Sequence, residues 1–191
     1  MTKTRLVFSG SGGQGVITAG IILAEAAVLY EGLNAVQTQS YGAQARGGAT
    51  RCDVILSDGP IYFPKIVQPN VLVCLTQAAY TRYSPTLRPG GLLVTDTLWV
   101  QIEKTVDARR YELPFSDTVD EKIGNPVVLN ICMLGAVVRL TGVLAADSVQ
   151  KVIRERVPKN FLELNETAFQ AGVDLAARAV HPPQSSQAPQ T

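Results

Sequence analysis

Hydrophobic positions along the chain fall into short runs divided by glycine, proline and polar turns, and strand-like and helix-like periods alternate. Arg5-Leu6-Val7-Phe8-Ser9 reads as a short buried strand. Val16 to Tyr30 reads as a helix apolar on nearly every side, with Gly20, Ala24 and Ala27 forming a small-residue ridge on which a sheet could sit closely. Val36 to Ser40 predicts a second strand and Ala49 to Ser57 a third. Asp58-Gly59-Pro60 turns the chain, and Ile61 to Pro64 is a short extended piece ended by proline. Val71-Leu72-Val73-Cys74-Leu75 is apolar without alternation, the mark of a central parallel strand buried on both faces. A helix over about Ala78 to Leu87 follows, then strands at Leu92 to Thr95 and Arg110 to Leu113.

Asn125-Pro126 supplies an N-cap and a first-turn proline for a helix from about Val127 to Leu140, apolar all round and ended by Gly142. Asp147 to Arg156 is amphipathic and stops at Pro158. Asn160 and Glu163 form a capping pair for a last helix, whose apolar positions run from Phe161 to Ala179 at helical spacing. From His181 on the chain is Pro, Ser and Gln, expected to be a disordered tail on a single domain of residues 1–180. The alternation predicts an α/β fold, a three-layer α/β/α sandwich with a mostly parallel sheet.

Charge changes this picture in one place. Only 17% of residues are charged, below the usual quarter. Between Arg5 and Arg46 there is no Lys or Arg, and the acids are Glu25 and Glu31 alone. Either another protein chain covers part of this N-terminal third, or the segment is mostly interior. The net charge of +1, without a basic cluster in the sequence, argues against nucleic acid as a partner. The first helix is too short and too polar at Thr18 and Glu25 to span a membrane. Met1-Thr2-Lys3-Thr4 leads straight into a strand without a signal peptide, so a cytoplasmic location is expected. Cys52, Cys74 and Cys132 lie far apart in apolar segments and read as buried free thiols, not as a zinc or iron–sulfur ligand set.

Candidate chemistry concentrates in two stretches. Gly10-Ser11-Gly12-Gly13-Gln14-Gly15 joins the first strand to the first helix, with Gly10, Gly12 and Gly15 in the G-x-G-x-x-G spacing. Such a turn aims backbone N–H groups and a helix N-terminus at an anion; the lesser alternative is a tight strand-to-helix turn that binds nothing. A dinucleotide site would place an acid about 20 residues on, and Gly32 to Ser40 contains none. Tyr41 to Gly48 is the second stretch, a glycine-containing loop in which Arg46 is the strong anion anchor. Both stretches are expected at the carboxyl ends of neighbouring strands. No catalytic residue stands out. The single histidine, His181, begins the tail, no Ser sits in a nucleophile elbow, and Asp53, Asp58, Asp96 and Asp120 are scattered, most of them reading as solvated strand ends.

Gly10-Ser11-Gly12-Gly13-Gln14-Gly15, Ser40-Tyr41-Gly42 and Arg46-Gly47-Gly48, followed by Ser57-Asp58, resemble the gamma subunit of 2-oxoacid:ferredoxin oxidoreductases over roughly Arg5 to Ala179. Within that family of pyruvate, 2-oxoglutarate and ketoisovalerate enzymes, Val36 to Tyr41 is most similar to the 2-oxoglutarate subunits; Ala43 stands where a proline is common. The resemblance implies a subunit inactive alone, in a complex that oxidatively decarboxylates a 2-oxoacid to its acyl-CoA and reduces ferredoxin. Thiamine diphosphate with Mg, and iron–sulfur clusters, are then expected on the other subunits (alpha, beta and a ferredoxin-like delta). The glycine turn and the Ser40-Tyr41-Gly42 and Arg46-Gly47-Gly48 motifs would face the region that takes CoA. A homodimer of the isolated chain would substitute for its missing partners. A stand-alone nucleotide-binding module or NAD-dependent enzyme is the alternative.

Overall fold

The computed structural model describes residues 3–40, 49–103 and 107–180. Six strands, β1 (Thr4–Gly10), β2 (Asn34–Ser40), β3 (Thr50–Ser57), β4 (Val71–Cys74), β5 (Gly91–Asp96) and β6 (Ala108–Leu113), form one sheet in the order β2-β3-β1-β4-β5-β6. The pairings β1–β4, β4–β5 and β5–β6 are parallel, whereas β3 runs antiparallel to both β1 and β2. The sheet is therefore mixed, parallel on one side of β1 and antiparallel on the other. Too few residues separate Ser40 from Thr50 for a crossover helix, and antiparallel neighbours are the pairing that a short link permits. The run at Val71 takes the central parallel position that its unbroken apolar character predicts, with all four strand residues buried.

Alternation along the strands divides the interior in two. Leu6 and Phe8 of β1, Cys52, Val54 and Leu56 of β3, Val73 of β4 and Val94 of β5 face a thick helical layer. Val7, Ile55, Leu72 and Leu93 face the other side. The thick layer holds α1 (Val16–Tyr30), α3 (Phe115–Lys122), α4 (Leu129–Thr141), α5 (Ala146–Arg156) and α6 (Leu162–Val180). The thin layer holds α2 (Gln77–Tyr83), the 3-10 turn Ser84–Thr86 and irregular chain around Ile66 and Val100.

α4 is buried at every position from Leu129 to Val138, as its all-round apolar character predicts. Asn125 caps through Val127 N–H at 3.1 Å, yet Pro126–Val128 winds as a 3-10 turn, so the α-helix begins two residues later than the spacing suggests. Gly142 ends it in the left-handed conformation at φ 57°, its N–H on Val138 O. α3 escapes sequence reading because Phe115 and Val119 are its only large apolar residues. Asn160 lies inside a 3-10 turn that Pro158 begins without a side-chain cap, so it does not form the expected capping pair. Ile61 to Pro64 forms no strand. All three cysteines are free and buried; desolvation pushes Cys52 up to about 11 and Cys132 up to about 12, and raises Cys74 too, which keeps them as inert thiols. No helix among the described residues is long and apolar enough to cross a membrane. The tail from His181 lies outside the described residues.

α6 crosses α4 at unusually close range. A Cβ on Gly172 would run into the carbonyl oxygen of Cys132, and one on Gly135 into that of Phe169. Gly172→Ala should therefore lower stability by about 1–3 kcal/mol, read from the midpoint of chemical denaturation. Gly59→Ala, where a Cβ would meet nothing within 4 Å, should change it by about 0.5 kcal/mol or less. Equal midpoints for the two variants would refute close contact at the crossing.

Candidate functional site: the glycine turn and its surroundings

β1 delivers the chain to Gly10 at the carboxyl edge of the sheet, and α1 leaves from Gly15. Gln14 folds back over the turn: its Oε1 accepts from Ser11 N–H at 2.7 Å, while Gln14 N–H reaches Ser11 O at 3.3 Å. A side chain on Gly10 would displace that Gln14 oxygen and press on Leu75 and Val16. Gly15 is the N-cap of α1 in the left-handed conformation, without a capping side chain. A Cβ there would meet Asn130 Nδ2 at 2.6 Å, and the same amide donates to Gly15 O at 3.3 Å. Packing thus demands glycine at position 15, where φ is also positive, and at position 10 it favours one because a Cβ would push the Gln14 oxygen off Ser11. It demands none at Gly12, where a Cβ would meet nothing within 4 Å and φ is unexceptional.

The turn sits where the sheet switches topology. α1 returns from β1 across the thick layer, whereas α2 follows β4 on the opposite face. Crevices outside the carboxyl ends of strands at such a point are where α/β sheets bind ligands. Ser40 ends β2 at the same edge, opposite Arg51, while Gly10 lies opposite Thr50. β3 stands between β1 and β2, so the two strand ends are not neighbours as expected but lie two inter-strand steps apart, roughly 10 Å. Tyr41, Gly42, Arg46, Gly47 and Gly48 lie outside the described residues.

The structure adds residues that sequence reading passed over. Asp96, expected to be solvated, has no exposure at the end of β5. It accepts from Leu98 N–H at 3.1 Å, Ser116 N–H at 3.1 Å and Ser116 Oγ at 2.6 Å. Ser116 Oγ in turn accepts from the Trp99 indole N–H at 3.0 Å. Burial pushes the Asp96 carboxyl up, against the hydrogen bonds from Ser116 and Leu98 that lower it. This chain of bonds holds Trp99, 56% exposed, at the rim of a cavity of about 330 Å³ shared with Gly13, Gln14, Leu98 and Val127. A second hollow, about 380 Å³, opens on the other side of Gly13 between α1 and the start of α6. The one signal that could have flagged Asp96 is its place just after an unbroken apolar strand.

The glycine turn thus stands between two hollows with exposed apolar rims, Leu98, Trp99, Val127 and Phe161 being 45–77% exposed. Residues 5–175 match the family model of pyruvate ferredoxin/flavodoxin oxidoreductase. The chain belongs to that family. It is 47% identical over 176 residues to the 2-oxoglutarate synthase subunit KorC of Methanocaldococcus jannaschii, an alignment that spans 91% of this chain and 94% of that one. A solved keto/oxoacid ferredoxin oxidoreductase gamma subunit from Geobacter sulfurreducens superposes with a TM-score of 0.86 at 42% identity, over 94% of this chain and 99% of that one. A 2-oxoglutarate:ferredoxin oxidoreductase from Magnetococcus marinus, solved with 2-oxoglutarate, coenzyme A and succinyl-CoA, shares the fold at 23% identity and a TM-score of 0.83, over 93% of this chain and 31% of that one.

For this family member, the expectation that the charge-poor N-terminal third is mostly interior holds for only part of it. Seven of the 15 residues of α1 are buried against the sheet and neighbouring helices. Its last turn is not: Val28 and Leu29 are 51% and 60% exposed. Thr38, Gln39 and Ser40 of the edge strand β2 are also exposed.

Asp96→Asn would turn an amide NH2 toward the donors of Ser116. We expect a loss of about 1–3 kcal/mol and a shifted emission from Trp99, the sole tryptophan. Because burial raises the Asp96 carboxyl, the folded chain keeps this proton at a pH where the unfolded chain, near pKa 4, has lost it. Its contribution to stability therefore falls as pH rises above about 4, up to the folded pKa, and is level beyond. The Asn variant should lack that fall in pH-dependent melting. Unchanged emission would show that Asp96 does not hold Trp99.

Proposed function

We propose that the chain is the gamma subunit of a 2-oxoglutarate:ferredoxin oxidoreductase, which converts a 2-oxoacid and CoA to acyl-CoA and CO2 and reduces ferredoxin. The observation that carries this reading is the likeness to the 2-oxoglutarate synthase subunit along nearly the whole length of both chains. On this proposal the chain works with alpha, beta and delta subunits in the cytoplasm. Thiamine diphosphate with Mg, which would supply the electron sink for decarboxylation, and the iron–sulfur clusters would be held by those partners.

The part played by this chain is to position and enclose. Gly12 supports that role, because nothing within the fold demands a glycine there and a bare backbone admits close approach of a ligand. The first-turn N–H groups of α1 lack intrahelical acceptors and favour an anion. We assign Gly10, Ser11, Gly12, Gly13, Gln14 and Gly15, with Ser40, Tyr41, Gly42, Arg46, Gly47 and Gly48, to the face turned toward CoA and the partner subunits. The Ser11 N–H is taken by Gln14, so Ser11 offers a ligand its hydroxyl and not its backbone N–H. The end of β2 offers Gln37, Thr38, Gln39 and Ser40 where a dinucleotide enzyme would hold a ribose with a carboxylate, which speaks against a stand-alone NAD enzyme.

Two outcomes test the reading. The purified chain alone should show no CoA-dependent 2-oxoglutarate oxidation, and restoring the partner subunits should bring it back; turnover by the chain alone would sink the proposal. In the assembled enzyme, Arg46→Ala should raise the CoA requirement or lower turnover by about ten- to a hundredfold, the value of a charged hydrogen bond of about 1.5–3 kcal/mol, with melting and assembly preserved. An unchanged rate would leave Arg46 a loop residue, and loss of assembly would place it at a subunit interface.

A further inference from the structure

At the amino ends of the strands, the edge of the sheet opposite the glycine turn, four cations from three separate parts of the sequence converge. Lys3 and Arg5 lie at the start of β1, Lys65 in the segment before β4, and Arg88 just before β5. They line one groove of about 600 Å³, together with Phe63 and Val67 and without a single carboxylate. None of the four makes an ion pair among the described residues, where the ion pairs join Arg51 to Asp53, Lys151 to Asp147, Arg154 to Glu166 and Arg156 to Glu25. Arg88 also borders an adjoining hollow that contains Arg109. Asp107, whose carbonyl accepts from Gly90 N–H, is close along the backbone but does not line the groove.

The groove is a built feature of the fold. Its floor is tied down where Arg5 N–H donates to Asn70 Oδ1 at 3.0 Å and Asn70 N–H donates to Arg5 O at 2.8 Å. One wall is fixed by Ile66, which is buried in the thin-layer core between exposed Lys65 and Val67. The Ile66 carbonyl accepts from Arg51 at 3.0 Å, and Arg51 is itself held by Asp53 and stacked on the ring of Tyr83 at 5.0 Å. The other wall is pinned by Arg88 N–H on Pro69 O at 3.2 Å. Like charges gathered in a groove that no carboxylate lines repel one another, and an anion seated among them relieves that repulsion. Four charges around one small-molecule-sized hollow exceed what a single carboxylate requires and match linked phosphates. Phe63, 60% exposed at the rim, offers a ring on which a planar base can stack.

We propose that this groove is a binding site for a ligand carrying two or more linked phosphates, separate from the glycine turn. Nucleoside diphosphates and inorganic polyphosphate share this chemistry, and Phe63 distinguishes them.

Calorimetric titration of the intact chain at low ionic strength with ADP, with tripolyphosphate and with CoA, paired with melting curves, tests the site. ADP or tripolyphosphate should bind and raise the melting temperature. The double variant Lys65→Glu/Arg88→Glu, exposed positions whose exchange should spare the fold, should weaken that binding tenfold or more. Arg46→Ala should leave it unchanged, so failure here and failure of the glycine-turn reading are separable. Phe63→Ala weakening ADP but not tripolyphosphate assigns the site to nucleotides, and equal loss-free binding of both assigns it to inorganic polyphosphate. The proposal is overturned if neither phosphate compound binds, if binding survives the double variant, or if CoA alone binds and Arg46→Ala abolishes it. Binding of a poly-glutamate peptide in place of the phosphate compounds would likewise overturn it, in favour of an acidic protein partner.

Discussion

The close approach of α1 to the elements on either side of it sets the rest of the molecule. A Cβ at Gly20 would collide with Cys52 of β3, and one at Gly15 with Asn130 of α4. With both glycines in place, the helix lies flat on the sheet at one point and against the thick-layer core at another. Its N-terminus cannot drift, so the turn from Gly10 to Gly15 has a fixed position at the carboxyl edge. A buried interface of this kind does not deform continuously, because native interiors are packed to the density of organic crystals. Arg156 of α5 hydrogen-bonds Glu25 and ties the outer face of α1 as well, holding the Glu25 carboxyl below its ordinary value.

The two hollows beside the turn follow from that placement. The loop after β5 is organised from beneath by Asp96, a buried acceptor for three donors, and carries Trp99 to the rim. Around the turn, exposed Leu98, Trp99, Val127 and Phe161 give an apolar border to a polar backbone centre. That combination is common where a surface is meant to be covered. The opposite edge of the sheet has another character, with cations gathered beside Phe63 and Val67. One sheet therefore presents an edge rich in backbone donors and apolar rim, and another rich in side-chain charge.

Much of the fold was legible before any coordinates. Periodicity and turn residues located all six strands to within a few residues, the four inner ones because a buried strand must be apolar on each face that meets the core. The glycine turn and the free thiols were legible for the same local reason. α3 was not, because a short helix with two large apolar residues has too little pattern to register. The 3-10 entry to α4 and the mixed direction of the sheet were not either, since both depend on where neighbouring elements lie.

The sequence by itself determined the family, the parallel core around β4, and the turn between β1 and α1, because each is written in contiguous residues whose spacing has a direct physical consequence. Only the tertiary structure decided what lies around that turn. Asp96, Ser116 and Trp99 acquire a joint role through hydrogen bonds between segments that the sequence keeps apart. A net charge of +1 gave no hint of local excess. Lys3, Arg5, Lys65 and Arg88 become one charged surface only when β1, β4 and β5 align their starts at one edge of the sheet. Charge density depends on distance in space, and distance in space is what strand pairing, rather than sequence order, sets.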